Sequence, residues 1–240
     1  MVLKRPMLSF VLLSCIIFLG LFSLTGVSMA LRLPAITTEI VKIISAWSST
    51  FAFLILFRRI YPGVRLSDFI KEKFAQRINF RVVVSIIILQ SVIYVTTIAL
   101  LPDTQTIIDT IASTGVATTI SVFLWHLLWG PLGEQLGWRG YMLNELHKEY
   151  SPLTAALIKG VLWGFWHAPL WLVSGYTGMH LLKYSLFFMI LMISASVIIA
   201  FFYRLNHTLL IPIVIHQMLN FFTYGITGEL LQVEIGRAHV

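Results

Sequence analysis

The sequence predicts an all-α, polytopic transmembrane helix bundle of about seven spans. Three observations predict it. Hydrophobic residues make up 58% of the chain and charged residues only 11%, at a mean hydropathy of +0.88, which excludes an ordinary soluble domain. The apolar residues fall in runs of about 20, the length that crosses a bilayer core. Basic residues gather in the short segments between those runs, as topology determinants do.

The formal charge of +7 does not point to nucleic acid. Arg58, Arg59, Arg65, Lys71, Lys73, Arg77 and Arg81 all lie in one connecting segment, where attraction to anionic lipid headgroups is the ordinary role. The single cysteine, Cys15, lies in the first apolar run and supports neither a disulfide framework nor a cysteine metal site.

The first run, about 8–30, follows Lys4 and Arg5. Ser28-Met29-Ala30 has the look of a cleavage site, but the run exceeds a signal-peptide core and further spans follow, so an uncleaved helix is expected. The second span, about 40–57, is less apolar and carries Lys42, Ser45, Ser48 and Ser49. The basic segment 58–81 precedes a third span at 82–101. The fourth starts near Thr118 and runs into Gly133–Gly140, and the last three are expected at 153–174, 182–203 and 208–227. Segments 1–6 and 58–81, Lys148 and Arg204 fall on one side; 102–117 and 175–181 carry no Lys or Arg, and 31–39 carries only Arg32. That alternation predicts an integral membrane protein with a cytoplasmic N-terminus, and a bacterial plasma membrane is the expected location.

Three segments follow: N-terminal helices and basic loop at 1–115, a polar-motif core at 116–233, and a tail at 234–240. Glu234-Ile235-Gly236-Arg237-Ala238-His239-Val240 reads as a translated sequencing adapter joined to a broken gene end. No internal repeat is visible, and nothing sets an oligomeric state.

Glu134 is the only acidic residue between Asp109 and Glu145. A carboxylate inside a bilayer costs several kcal/mol unless paired, so it marks a functional site by default. Two polar pairs, Trp163/His167 and His216/Asn220, lie in later apolar runs, each at i,i+4 on one helix face. At about 1.5 Å rise per residue, Glu134, His167 and Asn220 all lie roughly 20 Å from the basic side, and His216 roughly 13 Å. Arg139, five residues after Glu134, projects well away from it on a regular helix and is expected to brace backbone or another carboxylate. Gly130, Pro131, Gly133, Gly137 and Gly140 favour close backbone approach or local unwinding at a cavity.

One carboxylate, two imidazoles and a carboxamide suit a water-activating hydrolase. Glu134 would serve as general base. His167 and His216 would hold a divalent metal such as zinc, or a histidine and Asn220 would donate to an oxyanion without one. The zincin pattern His-Glu-x-x-His is absent.

Glu134-Gln135-Leu136-Gly137-Trp138-Arg139 resembles the Glu-Glu-x-x-x-Arg motif of the CAAX-protease and bacteriocin-processing (CPBP, or Abi) family of intramembrane proteases. Trp163-Gly164-Phe165-Trp166-His167 resembles its aromatic-x-x-x-His motif, and His216-Gln217-Met218-Leu219-Asn220 its His-x-x-x-Asn motif. The three occur in order over 134–220; residues 1–115 match only as generic spans. The resemblance implies intramembrane endoproteolysis of a membrane-associated or lipidated peptide. Glu134 and His167 would activate water, His216 and Asn220 would stabilise the oxyanion or bind metal, and Arg139 would be a brace. Gln135 departs from the family, whose second motif position is glutamate.

Blander roles are expected elsewhere. Trp163, Trp166 and Trp171 read as packing and interfacial anchors, and His126 as a helix-packing donor. His147, His180 and His207 sit near loop ends, and Glu145, Lys148 and Glu149 form a solvated helix end. Expected partners are membrane lipid and a membrane-associated peptide or protein. A non-catalytic immunity or regulatory protein on the same scaffold is the alternative, favoured by Gln135; a proton-relaying transporter would call for a repeat.

Overall fold

The computed structural model describes residues 5–101 and 104–237, and among them every regular element is helical. Residues 238–240 of the expected tail lie outside the described residues. Helix α1 (Pro6–Ala30) pairs with α2 (Ala35–Ala46) and α3 (Ser48–Ile60). The short α4 (Leu66–Phe74) interrupts the basic segment, and α5 (Phe80–Leu100) is the next long apolar helix. After α6 (Thr104–Ser113) come α7 (Val116–Leu128), α8 (Pro131–Gln135), a π-helical segment (Leu136–Leu143) and α9 (Asn144–Leu146). The C-terminal part holds α10 (Pro152–Trp166), α11 (Ala168–Leu172), α12 (Gly178–Leu205) and α13 (Leu210–Arg237).

The all-α membrane architecture agrees with the sequence reading, but the spans are less uniform than the expected seven. Among the described residues, four stretches are long and apolar enough to cross a bilayer alone: α1, α5, the run Val116–Leu146 and α12. The second expected span is α2 and α3 bent by 46° at Trp47, and joining them gives a fifth. The fifth expected span is interrupted at His167, leaving α10 with 15 residues. The interruptions sit next to the polar site, where backbone irregularity is tolerated because it faces protein or a cavity rather than lipid.

Lipid is as apolar as leucine, so these helices are held by packing and interhelical hydrogen bonds. Gly160 on α10 faces α12 so closely that an added Cβ would stand 2.9 Å from the Ile193 Cα. Ser196 on α12 donates across the same seam to the Ala156 carbonyl at 2.7 Å. An aromatic cluster fastens the π-helical segment to the N-terminal helices. Phe10 meets Trp138 edge-on at 5.5 Å between centroids, and Phe53 stacks on Tyr141 at 5.3 Å.

The basic segments lie at one end of the bundle. Asn206 accepts from the Asn79 N–H at 2.8 Å and donates to the Arg77 carbonyl at 3.1 Å, and Tyr61 donates to Glu145 at 2.6 Å. Residues 58–81, 145–148 and 204–207 therefore share a face, as the alternation of charge required.

Candidate active site

The site begins at a helix break. Gly130 precedes Pro131, whose ring drives the preceding residue out of helical geometry while itself suiting a first helical turn. Glu134 is thereby presented in the first turn of α8, with its N–H donating to the Gly130 carbonyl at 2.8 Å. Its side chain is 3% exposed. One carboxylate oxygen, Oε2, accepts the indole N–H of Trp163 at 2.6 Å. The other faces Gly130: a Cβ built there would lie 2.8 Å from Oε1 and 3.2 Å from the His216 Cε1. Carboxylate and imidazole thus border one small space kept open by a glycine.

His216, on α13, is 4% exposed, and its ring stands edge-on to Trp163 at 5.2 Å between centroids. Gln135 donates its carboxamide N–H to the His216 Nδ1 at 2.9 Å. With Nδ1 accepting, the neutral ring carries its proton on Nε2, turned toward the space beside Gly130. Asn220, one turn further along α13, lies beside the same ring. His167 closes α10. Its Nδ1–H donates to the Trp163 carbonyl at 2.7 Å, leaving Nε2 as an acceptor. His167 and Glu134 both line a cavity of about 600 Å³ that is also bordered by Lys42, Trp129 and Trp166.

Arg139 does not project away from this site. The π-helical winding after Gln135 closes its ladder five residues back instead of four, so a five-residue spacing that diverges on an α-helix returns toward the same side. The Arg139 guanidinium lies 4.0 Å from the Trp163 ring centre, and the Lys159 ammonium lies 3.8 Å from that same centre. Both cations are fully buried and act on the Glu134 charge. Their nitrogens have no hydrogen-bond partner among the described residues.

The structure thus brings Glu134, His216, Arg139 and, across Trp163, His167 around one centre, with Asn220 beside His216. Sequence reasoning missed three contributors. Trp163 is a hydrogen-bond donor to the acid rather than an anchor. Gln135 orients His216. Lys159 was passed over, although it is a lone charge in an apolar run at i−4 from Trp163 and i−8 from His167, the same signal that selected Glu134. His126 donates through Nδ1 to the Val122 carbonyl of its own helix, 2.8 Å away.

A divalent ion on His167 and His216 was one of two readings of these side chains, the other being an oxyanion site with Asn220 and no metal. Among the described residues no three His, Cys, Asp or Glu side chains are grouped to hold a metal. With Nδ1 engaged by Gln135, neutral His216 offers a proton at Nε2 where a ligand offers a lone pair. The donor set does not fit the ion.

Fold and site together define a polytopic helical membrane protein with a buried carboxylate–imidazole centre. Residues 116–222 match the family model described as type II CAAX prenyl endopeptidase Rce1-like. A curated relative, CAAX prenyl protease 2 of Methanococcus maripaludis, is 29% identical over 102 residues, covering 40% of this chain and 38% of the relative. The chain thus spans about two fifths of that relative's length. Both comparisons bear out the resemblance read from the three motifs, and the matched segment holds all the residues of the site.

Proposed function

We propose that this protein is an intramembrane endopeptidase acting on a peptide held at the bilayer by a lipid or an apolar segment. The observation that carries the reading is the buried Glu134, one oxygen fixed by Trp163 and the other open beside the His216 ring. A water there gives its proton to Glu134 as its oxygen bonds to the scissile carbonyl carbon. His167, through its free Nε2, accepts the water's second hydrogen bond and orients it. The oxyanion that forms is met by the His216 Nε2–H and the Asn220 carboxamide. Collapse breaks the C–N bond, and the proton on Glu134 passes to the departing amine. Arg139 and Lys159 hold the site's charge balance around Trp163. No step is assigned to a metal.

The match to CAAX endopeptidases supports a prenylated peptide as the first substrate to try. Gln135 does not favour the non-catalytic alternative, because its hydrogen bond gives it a place in the centre. The test is cleavage by purified protein in nanodiscs of an S-farnesyl peptide and of a peptide with an apolar anchor. Wild type is expected to turn over at least one, and Glu134→Gln and His167→Ala to lose cleavage by roughly 100-fold or more. Equal turnover by all three proteins removes the reading.

A further inference from the structure

The cavity that reaches Glu134 and His167 is walled in part by α1, which lies outside the matched segment 116–222. Much of its lining is apolar: Phe18, Phe22 and Met29 from α1, with Leu170 and Val173 from the α11 segment. The hydroxyls set into that lining differ in what they bond. Ser23 donates to the Leu19 carbonyl of its own helix at 2.7 Å, and Ser45 to the Lys42 carbonyl at 2.7 Å. Thr25 does neither. It is 4% exposed, and its hydroxyl has no partner among the described residues. Hydroxyls on the other long helices follow Ser23: Thr97 donates to the Ile93 carbonyl at 2.8 Å and Ser121 to the Ala117 carbonyl at 2.9 Å. Beside Thr25 the wall opens on free space, since a Cβ added at Gly26 would meet nothing within 4 Å.

Two indoles on the same lining are likewise uncommitted. Trp166 is 2% exposed, packed on Phe18 at 4.4 Å and edge-on to His167 at 4.7 Å between centroids. Neither its Nε1–H nor that of Trp129 has a partner among the described residues, and both atoms are buried. An indole N–H donates and cannot accept, and a threonine hydroxyl also carries a hydrogen to give. A buried donor left unpaired forfeits its hydration, so this lining is complementary to a ligand that brings acceptors. A peptide main chain carries one carbonyl per residue. A helix spends those carbonyls within itself, so an extended or unwound segment is the form that has them to offer.

Building on the endopeptidase reading, we propose that Thr25, Trp129 and Trp166 bind the substrate by receiving main-chain carbonyls of an extended segment. Trp129 and Trp166 directly precede Gly130 and His167, which border the reacting space, and they take carbonyls close to the scissile bond. Thr25 takes another from the α1 side. The apolar lining holds the lipid or apolar side chains. Selection therefore falls on backbone conformation, with wide tolerance of side-chain sequence.

The test uses a fluorescently labelled S-farnesyl heptapeptide and analogues in which each backbone amide in turn is an ester, whose carbonyl is a weaker acceptor. Binding is titrated onto Glu134→Gln protein in nanodiscs, so that it is read without cleavage. Thr25→Val removes the hydroxyl at constant shape, and Thr25→Ser keeps it. Benzothienylalanine installed in place of Trp129 or Trp166 keeps the ring and exchanges its N–H for sulfur. Each loss of a donor is expected to raise Kd about fivefold, the size of one neutral hydrogen bond, and Thr25→Ser to hold the parent value. In a background with Glu134 intact the same changes are expected to act on KM, with kcat kept within about threefold. An ester that weakens binding to the parent is expected to cost nothing further in the variant lacking its donor. Unchanged Kd in the three donor-lacking variants, no ester penalty on the parent, or a penalty undiminished in every variant overturns the carbonyl-receiving role. Binding with these losses but no cleavage by wild type defeats the endopeptidase reading alone.

Discussion

Trp163 donates its indole N–H to the Glu134 carboxylate across 2.6 Å, joining α10 to α8 inside the apolar bundle. That bond satisfies one oxygen of an acid whose burial unpaired costs several kcal/mol, and leaves the second oxygen for chemistry. The ring that makes it also faces Arg139 and Lys159, so a single indole links the acid to both buried cations.

Trp163→Phe keeps a ring for the cations and removes the donor. Its kcat is expected to fall about 10- to 100-fold, the size of one lost hydrogen bond to a charged group. Steady-state kinetics on the nanodisc protein check this; turnover within twofold of wild type sinks it.

Gly130→Ala places a methyl group 2.8 Å from Glu134 Oε1 and 3.2 Å from the His216 ring. We expect kcat to drop at least about tenfold and stability to fall by about 1–3 kcal/mol, the usual cost of overpacking. Kinetics paired with thermal unfolding reads both; unchanged kcat would show that the space beside Gly130 is not used.

Gln135→Leu removes the donor to His216 Nδ1. A loss of about tenfold in kcat with little change in KM is expected, since the imidazole is freed from its productive tautomer. Nitrogen NMR of histidine-labelled protein should show Nε2 protonated in wild type and a mixture in the variant. Because His216 acts here as a donor, chelator treatment is expected to leave wild-type turnover unchanged; loss restored by zinc would overturn that role.

Lys159→Met replaces a fully buried cation that has no hydrogen-bond partner among the described residues with an apolar chain of similar length. Replacing buried charge this way is often neutral or stabilising, so Tm is expected to hold or rise while kcat declines. A clear fall in Tm would mean that the ammonium is needed for folding.

His147 lies just past the end of the fourth span, and burial, then Arg204 and His207, hold its pKa below the ordinary 6.5. The unfolded chain therefore takes up this proton at higher pH than the folded protein does. Stability from this group is complete above about pH 6.5 and is lost as pH falls toward the lower folded value. Thermal unfolding at about pH 7.5 and about pH 5.5 should show a smaller acid loss in His147→Gln than in wild type. Identical losses exclude the effect.

Much of the centre was legible in the chain because charge in an apolar run is expensive and therefore conspicuous. Glu134, His167, His216 and Asn220 stood out on that ground, and helix rise alone placed them at similar depth. Arg139 was misplaced because an α-helical period was assumed through Leu136–Leu143, where the winding is π-helical. Lys159 obeys the rule that found Glu134, and only its distance from a named motif hid it.

Composition and charge alternation determined that this is a helical membrane protein with its basic loops at one end, since bilayer solvation acts on every residue separately. The partners of each polar group were decided by tertiary structure alone. Whether Trp163 anchors or donates, and whether Gln135 weakens or orients, depends on angles between α8, α10 and α13. Those angles are set by packing around Pro131, the π-helical turn and Gly160, and no local pattern in the sequence records them.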